Sequence, residues 1–150
     1  MENIEPLLER IVEKLKERPE VLAAYLFGSY AKGTARADSD IDVGVMVDPV
    51  FKQSGYSSYG IQFDLESLVL PLSKKEIEVI VLDNAKLPLC YSVIFDGRLL
   101  FSRDGPKRFA EEEKIRNLFE DLEDFFDLRL AYNFLNARKH QAVKSFAFRI

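Results

Sequence analysis

Residues 28–43 read Gly28-Ser29-Tyr30-Ala31-Lys32-Gly33-Thr34-Ala35-Arg36-Ala37-Asp38-Ser39-Asp40-Ile41-Asp42-Val43. Before them stands Val21-Leu22-Ala23-Ala24-Tyr25-Leu26-Phe27, a continuous apolar run that fits a strand buried on both faces better than a helix of that length. After them, Ile41-Asp42-Val43-Gly44-Val45-Met46-Val47 alternates large apolar with small or charged positions and predicts a second strand, stopped at Asp48-Pro49. A turn containing Gly and Ala is expected between the two.

Side chains two apart on a strand share a face, roughly 6.6 to 6.8 Å apart along its axis, which puts Asp40 and Asp42 on one side. Two facing carboxylates are a hard-oxygen cation site suited to Mg²⁺, which takes one or two protein carboxylates and completes its shell with phosphate oxygens and water. Two such ions clamp both the attacking and the leaving oxygen of a phosphoryl transfer, and a cation relieves the repulsion between the acids. Gly28-Ser29 stands at the exit of the buried strand, where a residue without a β-carbon lets a ligand approach the backbone and turn N–H groups face an anion. Ser29 adds a neutral donor and Lys32 a mobile positive charge where a triphosphate needs neutralising.

Outward from this stretch, Ile4, Leu7, Leu8, Ile11, Val12 and Leu15 keep the rhythm of an amphipathic helix, ended by Pro19. Residues 50–59 read as a loop and Ile61 to Leu70 as a helix stopped by Pro71. The β-branched stretch Glu76 to Leu82 predicts a third strand whose first acids, Glu76 and Glu78, lie on one face. A short helix from Pro88 to Phe95, with Gly97 as a left-handed cap, is expected next. Arg98 to Phe101 then reads as an edge strand. From Pro106 onward Phe109, Ile115, Leu118, Phe119, Leu122, Phe125 and Phe126 recur at helical spacing, so a long helix is expected over about 106–138, with a tail at 139–150 of undecided structure. The fold class is therefore α/β (α+β), a small mixed sheet flanked by helices, in one domain over 1–150.

Composition agrees with one globular core: 150 residues, 47% apolar and 31% charged. A net charge of −4 disfavours a broad electrostatic grip on nucleic acid. Cys90, the single cysteine, has no internal disulfide partner, the acidic start lacks a secretory signal pattern, and the longest apolar run is too short for a bilayer. These features together read as cytoplasmic. The one histidine, His140, has no ligand-spaced neighbours, which disfavours zinc or histidine-dependent nucleophilic chemistry.

The order and spacing of Gly28-Ser29, Ala31-Lys32-Gly33 and Ser39-Asp40-Ile41-Asp42 resemble the signature of the minimal nucleotidyltransferase family within the DNA polymerase β superfamily. The resemblance implies a nucleotidyltransferase fold in which Asp40 and Asp42 hold Mg²⁺, Gly28 and Ser29 bind nucleotide phosphates, and a third carboxylate on the next core strand positions the metal and the attacking hydroxyl. Glu78 matches that third position best, in place of the Asp of many members, and Glu76 competes for it. The implied reaction is attack of a hydroxyl on the α-phosphorus of ATP with loss of pyrophosphate. Family members of this size resemble antitoxins that adenylylate a tyrosine of a HEPN-domain ribonuclease toxin; the R-x(4–6)-H motif of that toxin is missing here, which makes this chain the modifier.

Plainer readings stand beside these. Asp40 and Asp42 could be the solvent face of an edge strand, Glu76 and Glu78 a solvated strand start, Ser29 a turn cap and Lys32 a solvated lysine. Phe125, Phe126, Tyr132, Phe134 and Leu135 exceed what one small domain covers and suggest an oligomer or partner surface, while Arg129 to Arg149 holds five basic residues and no acid, a candidate docking patch for a toxin or RNA. Two alternative functions are transfer of a nucleotide to a small hydroxylated compound such as an antibiotic, and non-catalytic sequestration of a toxin.

Overall fold

The computed structural model describes residues 3–126. Helix α1 (Glu5–Lys16) opens with Pro6 in its first turn and ends with Lys14 and Lys16, an arrangement that suits both the missing proline N–H and the helix dipole. It buries Leu7, Leu8, Ile11 and Leu15. Arg103 closes its far end, donating from Nη2 to the carbonyls of Lys16 (3.1 Å) and Arg18 (3.2 Å).

Strands β1 (Val21–Phe27) and β2 (Ile41–Val47) have the expected bounds and are buried at every position, which the apolar run predicts for β1 but the alternation does not for β2. They pair antiparallel, while β2 pairs parallel with β3 (Ile77–Val81), and β4 (Arg98–Ser102) adds antiparallel to the other side of β1. The sheet order is β3-β2-β1-β4, which makes β4 an edge strand. A register shift between Val21 and Ala23 turns Leu22 and Ala23 to the same side, a bulge that strengthens local twist.

Two apolar layers result. Helices α1 and α3 (Ser58–Val69) cover one face, where Ile11, Leu15, Leu65 and Val69 meet Leu26, Val43, Val45 and Val79. Helix α4 (Leu87–Asp96) covers the other through Leu89, Cys90 and Val93 against Tyr25, Phe27 and Met46. Helix α5 (Gly105–Phe126) lies over α4, with Phe119 fully buried and stacked on Tyr91 at 4.1 Å between ring centroids. Polar links fasten α5 to the sheet: the Tyr25 hydroxyl donates to Glu112 Oε2 (2.7 Å), Arg108 Nε donates to Ser102 Oγ of β4 (3.0 Å), and Lys107 Nζ reaches Asp48 Oδ2 just past β2 (2.9 Å).

Four sequence expectations need correction. The turn after β1 contains a one-turn helix, α2 (Ser29–Lys32), too short to leave a periodic signal. The expected loop over 50–59 is interrupted at both ends. A 3-10 turn occupies Pro49–Phe51, and α3 starts three residues before Ile61 because Ser57 caps it by accepting the Gly60 N–H at 3.0 Å. Gly97 is not a left-handed cap: its φ of −76° is extended. Its glycine is needed because a β-carbon there would run into the Val93 carbonyl and stand 3.0 Å from the Leu26 carbonyl. Ser29 is not the cap of its turn, since Gly28 holds that position and no side chain caps it. The remainder of the expected long helix, 127–138, and the tail 139–150 lie outside the described residues, as do the basic stretch and Tyr132, Phe134 and Leu135 of the suggested apolar surface, whose Phe125 and Phe126 stand at the end of α5.

Candidate active site

At the end of β1 the chain must turn sharply to place α2 beside the start of β2. Gly28 makes that turn with φ 72° and ψ −153°, a conformation costly for any residue bearing a β-carbon. A second constraint acts at the same atom. A β-carbon on residue 28 would run into Asp42 Oδ2 and lie 3.2 Å from Asp42 Cγ. The two halves of the sequence motif, fourteen residues apart, are therefore in van der Waals contact.

Asp42 is 2% exposed, a carboxylate held almost wholly inside the sheet end. Sheet register sets its flanks: Phe27 of β1 stands opposite it on one side and Glu78 of β3 on the other. Because β2 and β3 are parallel and in register at this pair, the Asp42 and Glu78 side chains emerge on the same face as neighbours. Glu76 lies before β3, is exposed, and gives its carbonyl to the Ile41 N–H at 2.9 Å. Of the two competing acids, then, Glu78 is the one beside Asp42.

Asp40 is half-buried and stands one residue before β2, on the turn rather than in the ladder. That turn is closed by its own bonds: Ser39 Oγ accepts the Arg36 N–H (2.7 Å) and the Ser39 N–H donates to the Arg36 carbonyl (3.0 Å). Lys75, to which the sequence pattern assigned nothing, reaches the same turn. Its ammonium donates to the Ala37 carbonyl at 2.8 Å and lies 5.6 Å from the centre of the Tyr30 ring. Ser29 is half-buried at the start of α2, and Lys32 is exposed at its end.

The donors gathered here are carboxylate oxygens, which match a hard divalent cation such as Mg²⁺. Among the described residues no group of three or more Asp, Glu, His or Cys side chains is gathered closely enough to hold a metal ion by itself. An ion bound jointly by protein and phosphate needs only one or two protein carboxylates, and the in-register Asp42 and Glu78 are of that number and kind.

Other sites on the sheet are less suited to chemistry. A cleft of about 180 Å³ lies at the far end of β2, lined by Met46, Lys52, Leu82, Asp83, Cys90 and Lys114 among others. Its charges are spent on ion pairs, Lys52 with Asp83 at 3.0 Å and Lys114 with Glu111 at 2.8 Å. Burial pushes the Cys90 thiol up to about 12, with the Asp83 charge adding to the effect, so the thiolate that nucleophilic or redox work needs is suppressed. No helix among the described residues is long and apolar enough to cross a membrane.

Comparison with known proteins places this geometry. The protein adenylyltransferase MntA of Shewanella oneidensis is 26% identical over 93 residues, covering 61% of this chain and 63% of that relative. The chain thus matches somewhat less than two thirds of the relative's length. A crystal structure described as a toxin-antitoxin with AMP-PNP superposes with a TM-score of 0.64 at 22% identity, over 78% of this chain and 90% of that one. A structure of a tri-AMPylated Shewanella oneidensis HEPN toxin in complex with its MNT antitoxin matches with a TM-score of 0.62 at 19% identity, over 81% and 91% of the two chains. At such identities these likenesses establish the fold. The sequence profile described as Polymerase beta, Nucleotidyltransferase matches residues 9–106, a span that runs from α1 through β4 and contains the Gly28-Ser29 bend, Asp40, Asp42 and Glu78, and the chain belongs to that family.

Proposed function

We propose that this protein is an Mg²⁺-dependent adenylyltransferase of the cytoplasm that moves AMP from ATP to a hydroxyl of a protein, a tyrosine of a HEPN-type toxin, and so acts as the antitoxin. The observation that carries the reading is the contact between Gly28 and the buried Asp42 carboxylate, with Glu78 in register beside it. That contact, at the one position of the bend that lacks a β-carbon, supports a phosphate chain lying against the bend with its counter-ion on the acids. The relationship to a protein adenylyltransferase, and the toxin complexes among structures of the same fold, support the acceptor class.

In this reading the nucleotide's phosphates lie against the Gly28-Ser29 backbone, with Ser29 and Lys32 as donors. Asp40, Asp42 and Glu78 would hold Mg²⁺ together with phosphate oxygens, and the ion would neutralise charge on the phosphates. Glu78 orients the acceptor hydroxyl and takes its proton. The acceptor oxygen bonds to the α-phosphorus, the bond from that phosphorus to the bridging oxygen breaks, and pyrophosphate departs with the electron pair. Nucleotide is transferred, not hydrolysed.

The test is incubation of the protein with α-labelled ATP, Mg²⁺ and the product of the neighbouring gene. Label should move to the partner protein and be lost with Asp42→Asn. No transfer from the wild type, or transfer that survives the substitution, would sink the reading. Label moving only to small hydroxylated acceptors would redirect it to a small-molecule transferase.

A further inference from the structure

We propose that Lys75 is a positioning residue that fixes the turn carrying Asp40 and locks it to the Gly28-Ser29 bend, an inference that rests on Asp40 being an ion-binding acid. The sheet secures Asp42 through the β1 and β3 ladders, but its hydrogen bonds to β3 begin only at Ile41. Asp40 stands one residue outside that protection. A carboxylate that must share an ion with Asp42 needs its backbone held to a fraction of an ångström, and the short bonds inside the 36–39 turn do not tie the turn to anything else.

Lys75 supplies the tie. Its ammonium donates to the Ala37 carbonyl at 2.8 Å and makes a longer contact, 3.5 Å, with the carbonyl of Ser39, the residue next to Asp40. The same ammonium sits over the face of Tyr30, which follows Ser29 in α2. Its own backbone is secured at the entrance to β3, where the Lys75 N–H donates to Ser73 Oγ at 3.0 Å and the next residue, Glu76, accepts from Ile41. One cation therefore touches the segment with the bend and the segment with Asp40, from a position three residues before Glu78. A lysine serving only solubility extends its head into water; this one is half-buried and aimed at carbonyls.

The test compares the full-length wild type with Lys75→Met, Lys75→Arg and Tyr30→Leu by amide hydrogen exchange without ligands, and by the Mg²⁺ concentration giving half-maximal label transfer. Lys75→Met should speed exchange of the 37–41 amides roughly tenfold while leaving the central β1 and β2 amides unchanged. The half-maximal Mg²⁺ concentration should rise by about tenfold or more, the usual consequence of losing a group that orients a metal ligand. Lys75→Arg should recover most of both, since a guanidinium also donates to carbonyls and stacks on tyrosine. Tyr30→Leu should give a smaller change confined to the same stretch. Unchanged exchange at 37–41 in Lys75→Met, or acceleration spread over the whole sheet, would overturn the proposal. Should the wild type transfer no label, the adenylyltransferase reading falls, and the exchange data still decide the role of Lys75.

Discussion

Gly28 and Asp42 occupy each other's space: the α-carbon of one is pressed so closely to the carboxylate of the other that no β-carbon fits between them. The contact makes the bend and the buried acid one unit, and it predicts what Gly28→Ala will do. The new methyl must be accommodated at φ 72°, where a side chain is strained, and must push Asp42 Oδ2 aside. Stability should fall by about 1–3 kcal/mol in urea unfolding. Transfer activity of the folded fraction should fall by more than about a hundredfold if the displaced atom is the ion-binding oxygen proposed above. A variant with near-normal activity would show that the contact is incidental.

The register of β2 against β3 separates the two glutamates. Glu78→Gln should lower turnover by about a hundredfold or more, the scale of losing a general base, whereas Glu76→Gln should stay within about twofold because that side chain is exposed and outside the strand. Asp42→Asn should leave stability unchanged or slightly raised, as it removes one of two adjacent negative charges. Kinetics and unfolding curves on the three variants check all of this, and equal losses for Glu76→Gln and Glu78→Gln would contradict the assignment.

Much of this was legible in the sequence, and the rest was not for identifiable reasons. The apolar run Val21–Phe27 reports burial directly and the alternation in Ile41–Val47 reports a strand, so the bounds of both are legible, but the burial of β2 at Asp42 and Gly44 as well comes from its central place in the sheet. The choice of Glu78 over Glu76 depends on a pairing between residues 36 positions apart, which local pattern cannot encode. The contact of Gly28 with Asp42 is likewise long-range, although the fixed spacing of the motif points to it. Gly97 is a glycine for a close approach of the Val93 and Leu26 carbonyls, not for handedness, and the sequence treats both needs alike. Lys75 leaves no trace in any pattern, since its partners are backbone carbonyls.

The Tyr25–Glu112 bond predicts an alkaline weakness. Burial first, then the hydrogen bond and charge of Glu112, raise the Tyr25 hydroxyl well above its ordinary range, and Arg108 only partly opposes this. The unfolded chain ionises that tyrosine from about pH 10, while the folded chain keeps it protonated. Its contribution to stability is complete below that pH and is lost as pH rises, by up to about 1.4 kcal/mol per pH unit. Tyr56, raised by burial and by Asp83, adds a parallel loss. Tyr25→Phe should cost about 1–2 kcal/mol at pH 7, by leaving Glu112 one donor short, and should make the decline between pH 10 and 11 shallower. Unfolding free energies across that range decide it; an unchanged slope would mean that Tyr25 ionises in the native state.

Cys90 gives a prediction that needs no assay of activity. The thiol is 7% exposed, donates to the Leu82 carbonyl at 3.2 Å, and is held up near 12 by burial and then by the Asp83 charge. At pH 8 its thiolate fraction is therefore suppressed by more than about a thousandfold relative to a free cysteine, before access is considered. An aromatic disulfide reagent should leave the native protein unmodified over the time in which it fully labels the urea-unfolded chain. The residual native rate should be governed by the opening of α4 from the sheet and should rise when Val93→Ala loosens that packing. Rapid labelling of the native thiol would place Cys90 at the surface and contradict the way α4 covers Met46 and Phe27.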